Sequence, residues 1–428
     1  VKYVIIIPDG AADLPIPELG DRTPFEAARM PNLARLAEMG RVGVASTTPP
    51  GFEAGSDVCS MSLLGYDPVR YHTGRAPLEA AALGLQTGPR DFIFRLNFVT
   101  TGQAGTPSDG LMLDHSAGAI TDREARVLVN DLLRHWRSTM PSIAETIAIY
   151  PGVSYRNIVV DTSGRDYAGV LTTPPHAIPG ESWRENMPEG GAADSAQVLC
   201  KLMLSSAEFL PTHEVNLARK ESGLRMATMA WIWGQGVRPT VPSFRQRFGL
   251  RGAMITSVDL LAGIASYIGW DRLPVPGLTS YHDTDYAGQG RATCEAIETY
   301  DVVCSHVEAP DEASHQGDWK TKVASLERID EAIIGPVMER LRSYGDPEKD
   351  AGAEGWRVLV MPDHYTLCST RKHDATPVPF AMAGAWIRSA VRRRMIEREA
   401  AQSDLRIDDG HELMEYFLRG GLAAVKVR

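Results

Sequence analysis

Apolar positions along the chain fall into two patterns. Short, nearly continuous runs such as Val4-Ile-Ile-Ile7, Tyr300-Asp-Val-Val-Cys-Ser-His-Val307 and Trp356-Arg-Val-Leu-Val-Met361 read as strands covered on both faces, the signature of a parallel sheet between helices. Helical periodicity predicts helices over 24–39, broken at Pro31 and stopped at Gly40, over 258–268 and over 319–344. Strands and helices alternate, so a doubly wound α/β sheet is expected. From residue 74 to 243 the texture changes to short apolar segments with many Gly and Pro. There, strands are expected over 92–99, 146–150 and 156–160 and a helix over 123–137. The doubly wound pattern resumes after Arg238-Pro-Thr-Val-Pro-Ser243. Residues 74–243 are therefore expected to form an inserted α+β domain within a discontinuous domain of residues 1–73 and 244–428.

Several buried runs end in groups able to do chemistry. Pro8-Asp9-Gly10 puts Asp9 at the carboxyl end of a central strand, where open α/β sheets place their sites, although Asp beside Gly is also ordinary turn chemistry. Glu308-Ala-Pro-Asp311-Glu-Ala-Ser-His315 follows the strand over 300–307. Four residues apart on a helical turn, Asp311 and His315 share a face and aim an oxygen and a nitrogen at one point. Borderline divalent cations accept that pairing, and solvated helix faces carry it too. Asp363 and His364 close the strand over 356–361, and His373 precedes another extended run, because residues ahead of Pro377 and Pro379 are pushed away from helix. Gly55 ahead of a helical pattern sets the Ser56 hydroxyl at a helix N-terminus, a favourable place for an anion and equally a place for a simple cap. Together Asp9, Ser56, Asp311, His315, Asp363, His364 and His373 offer oxygen and nitrogen groups suited to two divalent ions, with Ser56 activated by one of them.

Composition narrows the partners. With 428 residues and 43% hydrophobic content the chain can bury a large core. A net charge of −10 argues against a nucleic-acid surface. Of the 44 basic residues only 8 are Lys, so an anion clamp here would be built from Arg. No apolar stretch approaches the roughly 20 residues needed to cross a bilayer, and Val1–Pro8 lacks the features of a signal peptide. Five cysteines, scattered without paired spacing, suggest neither a disulfide framework nor a zinc knuckle. A cytoplasmic enzyme acting on a small molecule is expected, with no membrane and no nucleic acid as partner.

The motifs Pro8-Asp9-Gly10, Gly55-Ser56-Asp57, Ser62-Leu-Leu-Gly-Tyr-Asp-Pro68, Thr73-Gly-Arg75-Ala-Pro-Leu-Glu79, Trp233-Gly-Gln-Gly236, Ala309-Pro-Asp-Glu312 and Asp363-His364 run in an order spanning essentially the whole chain. In these the sequence resembles the archaeal-type cofactor-independent phosphoglycerate mutases of the alkaline phosphatase superfamily. The resemblance implies an alkaline-phosphatase-like fold with the insertion as a substrate-binding lid, and a small phosphorylated metabolite as substrate. It implies that Ser56 takes a phosphoryl group from 3-phosphoglycerate and returns it to give 2-phosphoglycerate, with no 2,3-bisphosphoglycerate. Asp9, Ser56, Asp363 and His364 would hold one metal ion and Asp311, His315 and His373 the other, as Mn²⁺ or Zn²⁺, with Mg²⁺ and Co²⁺ also suited. Arg75, Arg95 and Arg156 are the substrate-binding candidates, and Asp114 and His115 are candidates for moving protons. Glu308 departs from the Lys that the resemblance leads one to expect, adding negative charge beside the site. The alternative on the same scaffold is a metal-dependent phosphatase or phosphotransferase for another small phosphorylated metabolite.

Overall fold

The computed structural model describes residues 1–102, 104–192, 194–388 and 391–419. It divides into two compact units, Val1–His72 with Val241–Arg428, and Thr73–Thr240.

The first unit is organised on an eight-stranded mixed sheet. In spatial order its strands are Asp271–Arg272, Gly252–Ile255, Val302–Val307, Lys2–Pro8, Trp356–Val360, Val378–Gly384, Arg41–Ala45 and Arg406–Ile407. Only Val378–Gly384 runs against its neighbours. Lys2–Pro8 lies near the centre because Val4, Ile5, Ile6 and Ile7 have no polar face to show: all four are fully buried. Burying each contributes about 1.5–3 kcal/mol of transfer free energy. Register then decides where the strand ends fall. Pro8 pairs with Val307, Ile6 with Val360 and Ile255 with Ser305, so Asp9, Thr256, Glu308 and Asp363 emerge at one edge. The antiparallel strand begins at that same edge, with Val378 opposite Ala45, and so delivers the segment carrying His373 to it.

Two elements differ from expectation. The helix expected over 319–344 is Trp319–Ile329, a π-helical turn Asp330–Ile334, and Gly335–Arg342. Two local constraints coincide there. Pro336 has no N–H to continue the α ladder, and the Asp330 carboxylate accepts from the amides of Asn32 and Leu33 at 3.1 and 2.7 Å, tying the turn to the start of helix Pro31–Met39. The segment around His373 also contains a short hairpin, Tyr365–Leu367 against Lys372–Asp374, that puts Thr366 opposite His373.

The second unit is an antiparallel sheet in which Phe92–Thr101 pairs with Met112–Asp114, Arg156–Asp161 and Met229–Val237, while Ile147–Pro151 pairs with Arg156–Asp161. Helices Asp122–Thr139 and Ser195–Phe209 cover it over a core that includes Phe94, Phe98, Leu132, Trp136, Leu202 and Trp231. No helix among the described residues is long and apolar enough to cross a membrane.

A half-buried carboxyl, Glu397, ties two other segments of the first unit together. Glu397 accepts from the Asp13 amide at 3.2 Å and the Thr23 hydroxyl at 2.6 Å, and burial pushes its pKa from 4.5 to about 7. The folded protein therefore keeps a proton there that the unfolded chain has already released, and stability declines as pH rises through that window. Relative to Glu397→Gln, the wild-type unfolding free energy is expected to fall by about 2–3 kcal/mol between about pH 5 and about pH 8, measured by urea denaturation; a pH-independent difference would refute it.

Candidate active site at the carboxyl edge of the sheet

The seven residues singled out from the sequence come from five places in the chain, and the first unit brings all of them to one network. Helix Ala309–His315 starts directly after the strand Val302–Val307, so Asp311 and His315 face the sheet edge together. His315 Nε2 lies 3.1 Å from Asp311 Oδ2 and 2.9 Å from His373 Nε2, and His373 Nε2 lies 3.4 Å from Asp311 Oδ1. Beside them, His364 Nε2 lies 3.5 Å from Asp9 Oδ1, 3.3 Å from Asp363 Oδ2 and 3.1 Å from Ser56 Oγ. Ser56 is the first residue of helix Ser56–Leu63, and Gly55 is its N-cap, so the hydroxyl is not used as a cap. The His364 and His373 rings stack with centroids 4.0 Å apart and join the two groups.

Hydrogen bonds fix which ring nitrogens are available. His315 Nδ1 is 3.0 Å from the Arg371 carbonyl, and His364 Nδ1 is 3.3 Å from the Tyr365 carbonyl. A carbonyl only accepts, so each Nδ1 carries the hydrogen and a neutral ring turns its Nε2 lone pair inward. Thr366 serves both groups: its Oγ1 donates to Asp311 Oδ1 at 2.5 Å and lies 3.1 Å from His364 Nδ1. The approach is close enough that Gly10, at φ +58°, has no room for a side chain. A Cβ there would lie 2.4 Å from Asp311 Oδ1 and 2.5 Å from Thr366 Oγ1.

Electrostatically the site gathers buried acids. Burial, with repulsion from Asp363 and Asp311, pushes the Asp9 carboxyl well above its ordinary range. Burial and repulsion from Asp9 do the same to Glu308. Burial lowers the His364 and His306 pKa values. Asp311 differs: burial opposes its ionisation, but His315 and His373 outweigh it and hold the carboxyl well below the usual range. Asp9 Oδ1 and Glu308 Oε2 are buried without a hydrogen-bond donor. Orphaned carboxylate oxygens among inward lone pairs fit divalent cations. Three triplets place one ligand atom each within 4.8 Å of one another: Asp311, His315 and His373; Asp9, Asp363 and His364; and Asp9, His306 and Glu308.

Sequence reasoning had not singled out His306 or Thr366. His306 sits inside an apolar strand run, and its Nε2 is 2.7 Å from Asp9 Oδ2. In the second unit, Arg95 pairs with Glu79 through two 3.1 Å contacts and lies 4.3 Å from the Trp233 ring, while Arg75 and Arg156 are near enough to lower its pKa further below what burial imposes. His115 and His176 border this cationic cluster, with ring centroids 6.2 Å apart. Asp114 is committed to its own loop, accepting from the Ser116 amide and hydroxyl and the Gly118 amide at 2.7–3.0 Å.

This geometry gathers groups that could hold divalent cations beside a serine hydroxyl at a helix N-terminus. A family model described as 2,3-bisphosphoglycerate-independent phosphoglycerate mutase matches residues 37–216. The protein of that name from Methanothrix thermoacetophila is 42% identical over 98% of this chain and 100% of its own length. A probable member from Geobacter sulfurreducens is 39% identical over 98% of this chain and 100% of its own. Among solved structures, the PH0037 protein of Pyrococcus horikoshii superposes with a TM-score of 0.79 at 26% identity, covering 98% of this chain and 97% of that one. The cofactor-independent phosphoglycerate mutase of Thermoplasma acidophilum shares the fold, with a TM-score of 0.64 at 24% identity over 98% and 100% of the two chains. The chain belongs to the 2,3-bisphosphoglycerate-independent phosphoglycerate mutase family, a family of isomerases.

The Asp311 hydrogen bond draws the His315 pKa up to about 9. NMR titration of chelator-treated protein should show that value, and Asp311→Asn should bring it down toward about 6.5, the ordinary histidine value. A His315 that titrates near 6.5 in the wild type would contradict the geometry.

Proposed function

We propose that this chain interconverts 3-phosphoglycerate and 2-phosphoglycerate, without 2,3-bisphosphoglycerate, through a phosphoserine at Ser56. The observation that carries the reading is the Ser56 hydroxyl 3.1 Å from His364 Nε2, at a helix N-terminus, beside two convergent ligand groups. Asp9, Ser56, Asp363 and His364 would hold one divalent ion and Asp311, His315 and His373 the other. Bound there, Mn²⁺ or Zn²⁺ would favour the ionised serine and offset the charge of the phosphoryl group.

The chain's own groups do the rest. Ser56 Oγ attacks phosphorus, and the bond from phosphorus to the C3 oxygen of the substrate breaks. The retained glycerate then presents its C2 hydroxyl to the phosphoserine, the new ester forms, and the serine is released. The amide-rich start of helix Ser56–Leu63 favours the anion in both steps. Arg75, Arg95 and Arg156 are the groups proposed to bind the carboxylate and phosphate of the substrate. Arg95, with its bidentate partner Glu79, is held ready rather than left to search. His115 and Asp114 are the groups proposed to move protons between the two substrate hydroxyls.

The test is incubation of the purified chain with Mn²⁺ and 3-phosphoglycerate, with 2-phosphoglycerate and free phosphate followed in parallel. Isomer with little phosphate supports the mutase; phosphate alone supports a phosphatase on the same site and overturns the proposal. Ser56→Ala should abolish turnover, at least about 10³-fold, while bound metal largely survives. Turnover retained in that variant would identify a different nucleophile.

A further inference from the structure

His306 and Glu308, which form the third triplet with Asp9, are used by nothing in the mechanism above. The triplet lies one strand over from the Asp363 group, and Asp9 divides its two oxygens between them. Oδ1 faces His364 at 3.5 Å, whereas Oδ2 faces His306 Nε2 at 2.7 Å. A carboxylate shared in this way is the geometry of a bridge between two cations. Glu308 Oε2 approaches the same His306 nitrogen at 3.7 Å and has no hydrogen-bond donor. On the far side of the ring, His306 Nδ1 is 2.9 Å from Thr256 Oγ1. That hydroxyl already accepts from the Val258 amide at 3.0 Å and has a second lone pair for a ring N–H. Gln289 holds the strand end in place through its 2.8 Å bond to the His306 carbonyl.

Charge counting points the same way. Asp9, Glu308, Asp311 and Asp363 bring four carboxylates to the site, which two divalent ions would just balance. Among the described residues no Lys or Arg forms an ion pair with any of the four. A phosphoryl group on Ser56 would add about 1.5 to 2 negative charges beyond that balance. We propose that Asp9, His306 and Glu308 hold a third divalent cation, of the Mn²⁺ or Mg²⁺ kind that accepts carboxylates with one imidazole. Its role is to neutralise the Asp9 side of the site when the serine carries phosphate. The inference rests on the two-ion reading, since Asp9 is common to both.

Equilibrium dialysis of the full chain against saturating Mn²⁺, with the metal counted by mass spectrometry, tests it. Three ions per wild-type chain are expected, and two in both His306→Ala and Glu308→Gln. Anomalous diffraction from wild-type crystals grown with Mn²⁺ should show a peak between Asp9, His306 and Glu308, and this decides the matter if the variants do not fold. Two ions in the wild type with no such peak overturn the third site and leave the two-ion reading standing. Fewer than two overturn both. Three ions retained in His306→Ala and Glu308→Gln, with no peak among those residues, place the extra ion elsewhere and also overturn the proposal.

Discussion

Four carboxylates packed at one sheet edge, three of them almost fully buried, set the terms for this protein. Taking a carboxylate out of water costs several kcal/mol unless positive charge or donors replace the solvent. Asp363 has the Gly10 and His364 amides and the Ser60 hydroxyl, Asp311 has Thr366, and Asp9 Oδ2 has His306, but Asp9 Oδ1 and Glu308 Oε2 have no hydrogen-bond partner. In the absence of cations the site relieves itself by holding protons, which is why Asp9 and Glu308 are pushed up and His315 binds a proton so firmly. A fold that keeps such a cluster has put its stability at the disposal of whatever neutralises it. Divalent cations would do so with little rearrangement, because His364 already turns Nε2 toward the carboxylates.

The strain of the arrangement is carried by the rigid parts of the first unit. Strand register brings Asp9, Glu308 and Asp363 to one edge without any loop having to choose a conformation. The hairpin Tyr365–Leu367 with Lys372–Asp374 then sets His364, Thr366 and His373 side by side. That hairpin is held from beneath by Lys322, a fully buried cation whose ammonium donates to Asp13 at 2.9 Å and to the Thr366 carbonyl at 2.8 Å. A paired buried charge is weak evidence of stability, but its fixed direction is useful: it pins the backbone of the residue whose hydroxyl joins the two ligand groups. Gly10 completes the fit by leaving space that any side chain would take from Asp311.

The second unit solves the opposite problem, holding positive charge in place. Arg95 would relax outward if it were only a cation among Arg75 and Arg156; Glu79 and the face of Trp233 keep it in position at the cost of part of its charge. A guanidinium paired bidentately in this way is partly neutralised and fixed in direction, so it would select an anion by geometry as much as by attraction. Asp114 accepts from the Ser116 and Gly118 amides, which fixes its carboxylate in the turn over 114–118.

How far this was readable from the sequence depends on the range of the interaction involved. Strands buried on both faces must be apolar throughout, so Val4–Ile7 and Trp356–Met361 announced themselves, and with them the acids at their ends. Ser56 was legible because Gly55 and the pattern after it are local signals of a helix start. His306 was not, since a polar residue inside an apolar run reads as part of the strand until its partner, 297 positions away, is known. Thr366 lies in a three-residue strand too short to show a period, and threonine is too common to draw notice. The strand Met229–Val237 escaped for a related reason, because near-continuous burial along Met229–Trp233 removes the alternation that marks a strand. What the sequence conceals here is therefore the second layer of the site: the residues that orient ligands act through contacts between distant segments, and only register and packing bring them into view.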